Sequence, residues 1–129
     1  MKQFKYTLTK KFEFHAAHSL KGAVPDSHKC AVLHGHTYKG EMKLHAVDLE
    51  DHLVVDAGIL SAVISQLDHK NLNDVLHHPA SVENIARWIA EATLNTLFKL
   101  GIENSVQFDY VELWETDSLS CRVTLEDVE

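Results

Sequence analysis

Cys30, His34 and His36 fall in the run CAVLHGH, a thiol and three intervening residues ahead of two imidazoles that straddle a glycine. If the chain is extended at His34–His36, its two-residue period puts both rings on one face, where both can reach a single ion. Gly35 leaves the opposite face bare. A catalytic zinc site takes three protein ligands and keeps one position open. FHAAHSL, residues 14–20, offers His15 or His18 as the third. On a regular strand these two point to opposite faces; His18 shares its parity with Phe12, Phe14 and Ala16, so the pattern favours His18 and leaves His15 as the alternative. Three neutral imidazoles, with no redox chemistry demanded, suit Zn2+. An isolated HGH is most simply a surface turn, but a second histidine cluster and a nearby cysteine favour a metal. With Cys30 as a fourth ligand the site would be closed and structural. Beside a dication its thiolate is instead favoured, which suits a general base; away from one, Cys30 is a small buried hydrophobe.

The 129-residue chain has ten histidines, a net charge of −7, 45% apolar residues and 24% charged residues. This reads as one globular domain over residues 1–129. The negative balance argues against nucleic acid or an anionic membrane surface as a partner, and no apolar run has membrane-spanning length. The N-terminus MKQFKYTLTKKFEF is basic without a continuous apolar core, so it does not read as a signal peptide. The expected location is cytoplasmic, where Cys30 and Cys121 stay free thiols. A small anionic substrate remains compatible, because Lys21, Lys29 and Lys39 surround the opening motif.

Two strands must position the histidines. Residues 4–14 alternate through Phe4, Tyr6, Leu8, Phe12 and Phe14, and residues 36–48 alternate through Met42, Leu44 and Ala46. Gly22, Pro25, Asp26 and Ser27 mark a loop between them. A turn at 49–52 and a short strand at 53–56 follow. Leu60, Val63, Ile64 and Leu67 form a helical stripe over 58–67, and 67–74 is loop-like. Ser81 is the expected N-cap of the longest helix, which buries Val82, Ile85, Ala86, Ile89, Thr93 and Leu97 and stops at Gly101. Segments 106–115 and 119–125 read as a hairpin. The order β-β-α-α-β-β is an α+β domain: a mostly antiparallel four-stranded sheet with helices on one face. Exposed edges of such a sheet are often covered by other subunits, so an oligomer is expected.

FEFHAAHSL, CAVLHGHTY, LDHKNLND, SVENIARWI and ELWET, in this order, resemble the 6-pyruvoyltetrahydropterin synthase superfamily over about residues 5–125. The short length and the short gap from Cys30 to HGH are most similar to its bacterial branch, the 6-carboxy-5,6,7,8-tetrahydropterin synthases of queuosine biosynthesis. The resemblance implies a tunnelling fold (T-fold) whose sheets join into an oligomeric barrel, usually a homohexamer built as a dimer of trimers. It implies zinc on His18, His34 and His36. It also implies a lyase that converts 7,8-dihydroneopterin triphosphate to 6-carboxytetrahydropterin, acetaldehyde and triphosphate. The alternatives are a 6-pyruvoyltetrahydropterin synthase and a non-catalytic pterin- or metal-binding oligomer.

By the same resemblance Cys30 is the base, with Asp68 orienting and His69 exchanging a proton, often from a neighbouring subunit. Glu115 shares the parity of Val111 and Leu113. A carboxylate ending an apolar row suits a pterin, accepting parallel hydrogen bonds from the ring N–H and amino group; Thr116 could add a hydroxyl, and Glu112 is the weaker candidate. Some positions depart from the family. His15 stands where another residue is common, Asp56-Ala57 replaces Asp-Phe, and the PASVEN segment is one residue longer, which leaves Ser81 and Glu83 as capping residues before substrate contacts. His77-His78 read as exposed loop and Cys121 as structural. Lys21, Lys29 and Lys70 are triphosphate candidates on charge alone.

Overall fold

The computed structural model describes residues 2–49 and 51–128. Strands β1 (Tyr6–His18) and β2 (His34–Ala46) pair antiparallel along their whole length. In both, the even-numbered side chains turn inward: Phe14, Ala16 and His18 on β1, and Tyr38, Met42, Leu44 and Ala46 on β2, are buried. The odd-numbered residues are mostly exposed charged or polar groups, as the pleat requires when one face packs and the other is wet. Both strands run further toward the histidines than the alternation predicted, because His18 continues the buried row of β1 and His34 starts that of β2.

The sheet has five strands in the order β3-β1-β2-β4-β5. β4 (Gln107–Thr116) and β5 (Leu119–Thr124) form the expected hairpin, with β4 antiparallel to β2. The fifth strand was not foreseen. Lys70–Asn71 (β3) pairs parallel with Ala16–Ala17, and a single helical turn, α2 (Leu72–Val75), follows directly. Residues 67–74 are polar enough to read as a loop, but Leu67 and Leu72 are fully buried and pin the segment to the sheet. The strand expected at 53–56 does not form. Val55 instead tucks into the core and the Asp56 carboxylate caps α1 (Ala57–Ser65), accepting from Gly58 N–H at 2.8 Å. The turn expected at 49–52 includes residue 50, and the domain bounds 1 and 129 are chain ends; all three lie outside the described residues.

α3 (Val82–Lys99) lies across the inner face of the sheet and contributes Ile85, Ala86, Ile89, Ala90, Thr93 and Leu97 to the core. Ser81 is its N-cap, the hydroxyl accepting from Asn84 N–H at 3.2 Å, a contact of about 1 kcal/mol. Asn84 Nδ2 donates to Pro79 O at 2.9 Å, so the entry 79–81 is held at both ends. Gly101, at φ 70°, ends the helix in the left-handed region that glycine takes without a Cβ penalty. Gly40 matters for a different reason. A Cβ there would overlap Glu112 O and come within 2.6 Å of the Phe12 ring, so only glycine lets that ring cross β2. No helix among the described residues is long and apolar enough to cross a membrane.

A candidate metal and pterin site

The strand register builds the triad. His18 stands directly opposite His34 in the β1–β2 ladder, and the small Ala16 stands opposite His36, leaving room for its ring. All three imidazoles share the inner face, with ring centroids 4.5 Å (18–34), 5.1 Å (18–36) and 4.8 Å (34–36) apart. One ring nitrogen from each lies within 4.8 Å of the others. His15 has the opposite parity and is not part of the group.

Backbone carbonyls set the ring orientations. His18 Nδ1 lies 2.5 Å from Ala80 O, and His34 Nδ1 lies 2.6 Å from Val32 O. Each carbonyl can only accept, so Nδ1 carries the proton and Nε2 presents a lone pair. Metal-binding histidines are typically held this way from behind. The Nε2 atoms of His18 and His36 are buried with no hydrogen-bond partner among the described residues. An unpaired buried acceptor of this kind costs about 1–3 kcal/mol. Burial first, then the neighbouring His18 and His34, push His36 below the usual histidine range, against an upward pull from Glu115. Neutral imidazoles are the metal-binding form, so these residues fit a divalent cation that accepts nitrogen ligands.

Glu115 ends the buried row of β4 on the same face, with Oε1 3.6 Å from His36 Nε2. Tyr38 completes the group. It is fully buried, stacks on Phe14 at 4.9 Å, and packs edge-on to His36 and His18 at 5.6 and 6.1 Å. Its hydroxyl has no partner among the described residues. Burial and then the Glu115 charge raise its pKa well above the ordinary phenol range, so it is a hydrogen-bond donor at any working pH.

Cys30 sits in a 3-10 turn (Lys29–Ala31), half-buried and free, as is Cys121. Leu20 N–H donates to Cys30 O at 2.7 Å, and His28 Nδ1 accepts from Cys30 N–H at 3.0 Å. The thiol is thus carried on a turn tied two residues beyond His18 and lying two residues before the carbonyl that orients His34. Thr116, by contrast, turns its hydroxyl to Ser118 N–H at 3.3 Å within the β4–β5 turn, away from the parity of Glu115.

Asp68 and His69 lie at the β1 edge of the sheet, beside His15. Asp68 Oδ1 accepts from His15 N–H at 3.0 Å, and His69 N–H donates to His15 O at 2.6 Å. His69 adopts φ 59° to do so, and its ring stays exposed, 5.9 Å from that of His15 and 3.6 Å from Asp68 Oδ1. His15 Nδ1 in turn meets Thr37 Oγ1 at 3.0 Å. Asn73 clamps the segment by bonding both the N–H and C=O of Ser19 at 2.8 and 2.9 Å. His15, Thr37, His69 and Lys70 line one cleft there. Within one chain, therefore, the triad, Tyr38 and Glu115 share the inner face, while the Asp68–His69 pair does not join them. Sequence reasoning missed the Ala80 and Val32 carbonyls and Tyr38. A backbone carbonyl leaves no mark in a sequence, whereas the even parity of Tyr38 with His34 and His36 was available. Of the lysine candidates, Lys70 lines the Asp68–His69 cleft, and Lys21 and Lys29 are exposed on the loop bearing Cys30.

The family described as 6-pyruvoyl tetrahydropterin synthase matches residues 7–126. A dihydroneopterin monophosphate aldolase of Pyrococcus furiosus is 30% identical over 106 residues, 79% of this chain and 82% of that protein. An Archaeoglobus fulgidus protein, named provisionally as a 6-carboxy-5,6,7,8-tetrahydropterin synthase, is 36% identical over 76 residues, 56% of this chain and 62% of that one. Among solved structures, the Caenorhabditis elegans 6-pyruvoyl tetrahydropterin synthase superposes with a TM-score of 0.77 at 21% identity, covering 98% of this chain and 100% of that one.

Proposed function

Because the chain belongs to the 6-pyruvoyl tetrahydropterin synthase family, we propose that it is a zinc-dependent pterin lyase, a 6-carboxy-5,6,7,8-tetrahydropterin synthase acting on 7,8-dihydroneopterin triphosphate. The observation that carries this reading is the triad itself: His18, His34 and His36 on one face, two of their inward nitrogens buried without partners among the described residues, and Glu115 beside them. The three-residue gap between Cys30 and His34 favours the carboxypterin branch.

A divalent cation held by these three residues would stabilise negative charge developing on the substrate's adjacent side-chain hydroxyls. The other roles fall to the chain's own groups. Glu115 accepts hydrogen bonds from the pterin N–H and amino group and fixes the ring. Cys30 takes a proton from side-chain carbon. His69, oriented by Asp68, returns one. The Asp68–His69 pair is held at His15 and is not part of the triad of its own chain; in this reading a neighbouring subunit supplies it, and the working protein is a homo-oligomer, a hexamer. Burial of His18 and Tyr38 keeps water from the inner end of the site.

A second reading has a specific observation behind it: the relative matched over 82% of its length is named as an aldolase. An aldolase would break the bond between the two hydroxyl-bearing carbons and leave the phosphate on the departing two-carbon aldehyde. Zinc-loaded protein incubated with 7,8-dihydroneopterin triphosphate separates the reactions by product. Acetaldehyde and triphosphate in equal amounts support the proposal. A pyruvoyl pterin without acetaldehyde, or a phosphorylated two-carbon aldehyde, would replace it with the pyruvoyl synthase or the aldolase reading.

A further inference from the structure

Tyr38 has no role in the reaction as assigned so far. Its hydroxyl lies in the protein interior without a partner among the described residues. Such a group is rare, because a buried donor left unpaired costs stability that a phenylalanine would not. Phe14 stacks directly on the Tyr38 ring, so an apolar ring is tolerated in this layer and packing alone does not call for the oxygen.

Glu115 shows the complementary deficit. It makes no hydrogen bond among the described residues and leans on His36 Nε2 at 3.6 Å. A ring nitrogen that ligates a cation carries no proton, so His36 cannot donate to Glu115 once the triad is loaded. Tyr38 and Glu115 lie one step beyond the Lys39–Trp114 pair of the β2–β4 ladder, both on the inner face, as cross-strand neighbours. Facing side chains at such a position have Cβ atoms about 5 Å apart.

We infer that Tyr38 is a positioning residue for Glu115: in the metal-loaded site its O–H donates to the Glu115 carboxylate and holds it for the pterin. This rests on the reading of Glu115 as the pterin anchor. The phenol thus gives Glu115 the donor that the loaded triad cannot, and its hydroxyl is unpaired only in the metal-free chain.

The test uses full-length, zinc-loaded oligomer, with neopterin as the fluorescent probe, and the variants Tyr38→Phe, Glu115→Gln and the double variant. Tyr38→Phe is expected to keep full zinc content, to leave the metal-free melting temperature unchanged or raised, and to weaken neopterin about tenfold, as for a hydrogen bond to a charged group. The double variant should bind no more weakly than Glu115→Gln alone, since Tyr38 acts through that carboxylate. If Glu115→Gln weakens neopterin while Tyr38→Phe binds as the parent does, the inference on Tyr38 falls and the anchor stands. Additive losses also overturn it. If Glu115→Gln binds neopterin normally, the anchor reading fails and takes the inference with it. A metal-free Tyr38→Phe that melts several degrees lower, or does not fold, means that the hydroxyl already has a structural partner, and this too refutes the inference.

Discussion

Zinc should raise the stability of this protein by an amount its orphaned nitrogens allow to be sized. His18 Nε2 and His36 Nε2 are buried without partners among the described residues. At about 1–3 kcal/mol each, they cost the metal-free fold about 2–6 kcal/mol. Zinc at a thousandfold excess over its dissociation constant stabilises by about 4 kcal/mol, within that range. Unfolding entropy of about 2.1 cal/mol/K per residue gives about 0.27 kcal/mol/K for 129 residues, so the melting temperature should rise by about 15 °C. The assay is a thermal melt of chelator-stripped protein with and without zinc, at one fixed protein concentration because subunit assembly also moves the midpoint. Metal content by mass spectrometry accompanies it. His18→Ala, His34→Ala and His36→Ala should each lose both the metal and the shift. His15→Ala should keep both, since its ring lies on the other face and meets Thr37. A parent shift below about 3 °C with zinc bound would refute the reasoning from unpaired nitrogens. Metal loss in His15→Ala with retention in His18→Ala would overturn the ligand set.

Cys30→Ala should retain zinc and the parent melting temperature while turnover falls by about 100-fold or more, the usual contribution of a positioned base; surviving turnover would remove Cys30 from the reaction. Cys30→Ala and His69→Ala, each inactive alone, should regain activity when unfolded together and co-refolded, because some mixed interfaces then pair an intact thiol with an intact imidazole; no recovery would place both groups in one subunit's site. Ser81→Ala should cost about 1 kcal/mol of stability, read in a denaturant melt. It should also weaken zinc severalfold in a chelator competition, because the cap holds the segment whose Ala80 carbonyl orients His18. An unchanged zinc affinity would separate the cap from the site.

Much of this molecule was legible from periodicity. Extended past the alternating segments, the two-residue period favoured His18 over His15 as the partner of His34 and His36, because consecutive strand side chains must point to opposite faces. Ser81, the apolar stripe of α3 and Gly101 fixed the long helix, since each acts through its own local backbone. The segments that misled were short. Residues 53–56 and 67–74 lack enough periods to declare an element, and each took its shape from what it packs against: Val55 filling the core, and Leu67 and Leu72 drawing Lys70–Asn71 alongside Ala16–Ala17.

What the sequence alone determined was therefore which side chains share a face and which residue types could hold a divalent cation. Only the tertiary structure decided the rest. It set His18 opposite His34, brought the Ala80 carbonyl behind His18 from 62 positions away, left the Tyr38 hydroxyl and two imidazole nitrogens without partners among the described residues, and held Asp68–His69 at the β1 edge beside His15. The physical reason is that parity is a property of a few bonded neighbours. Register, burial and the partners of a buried polar atom are set by segments far apart in the chain, and nothing local encodes them.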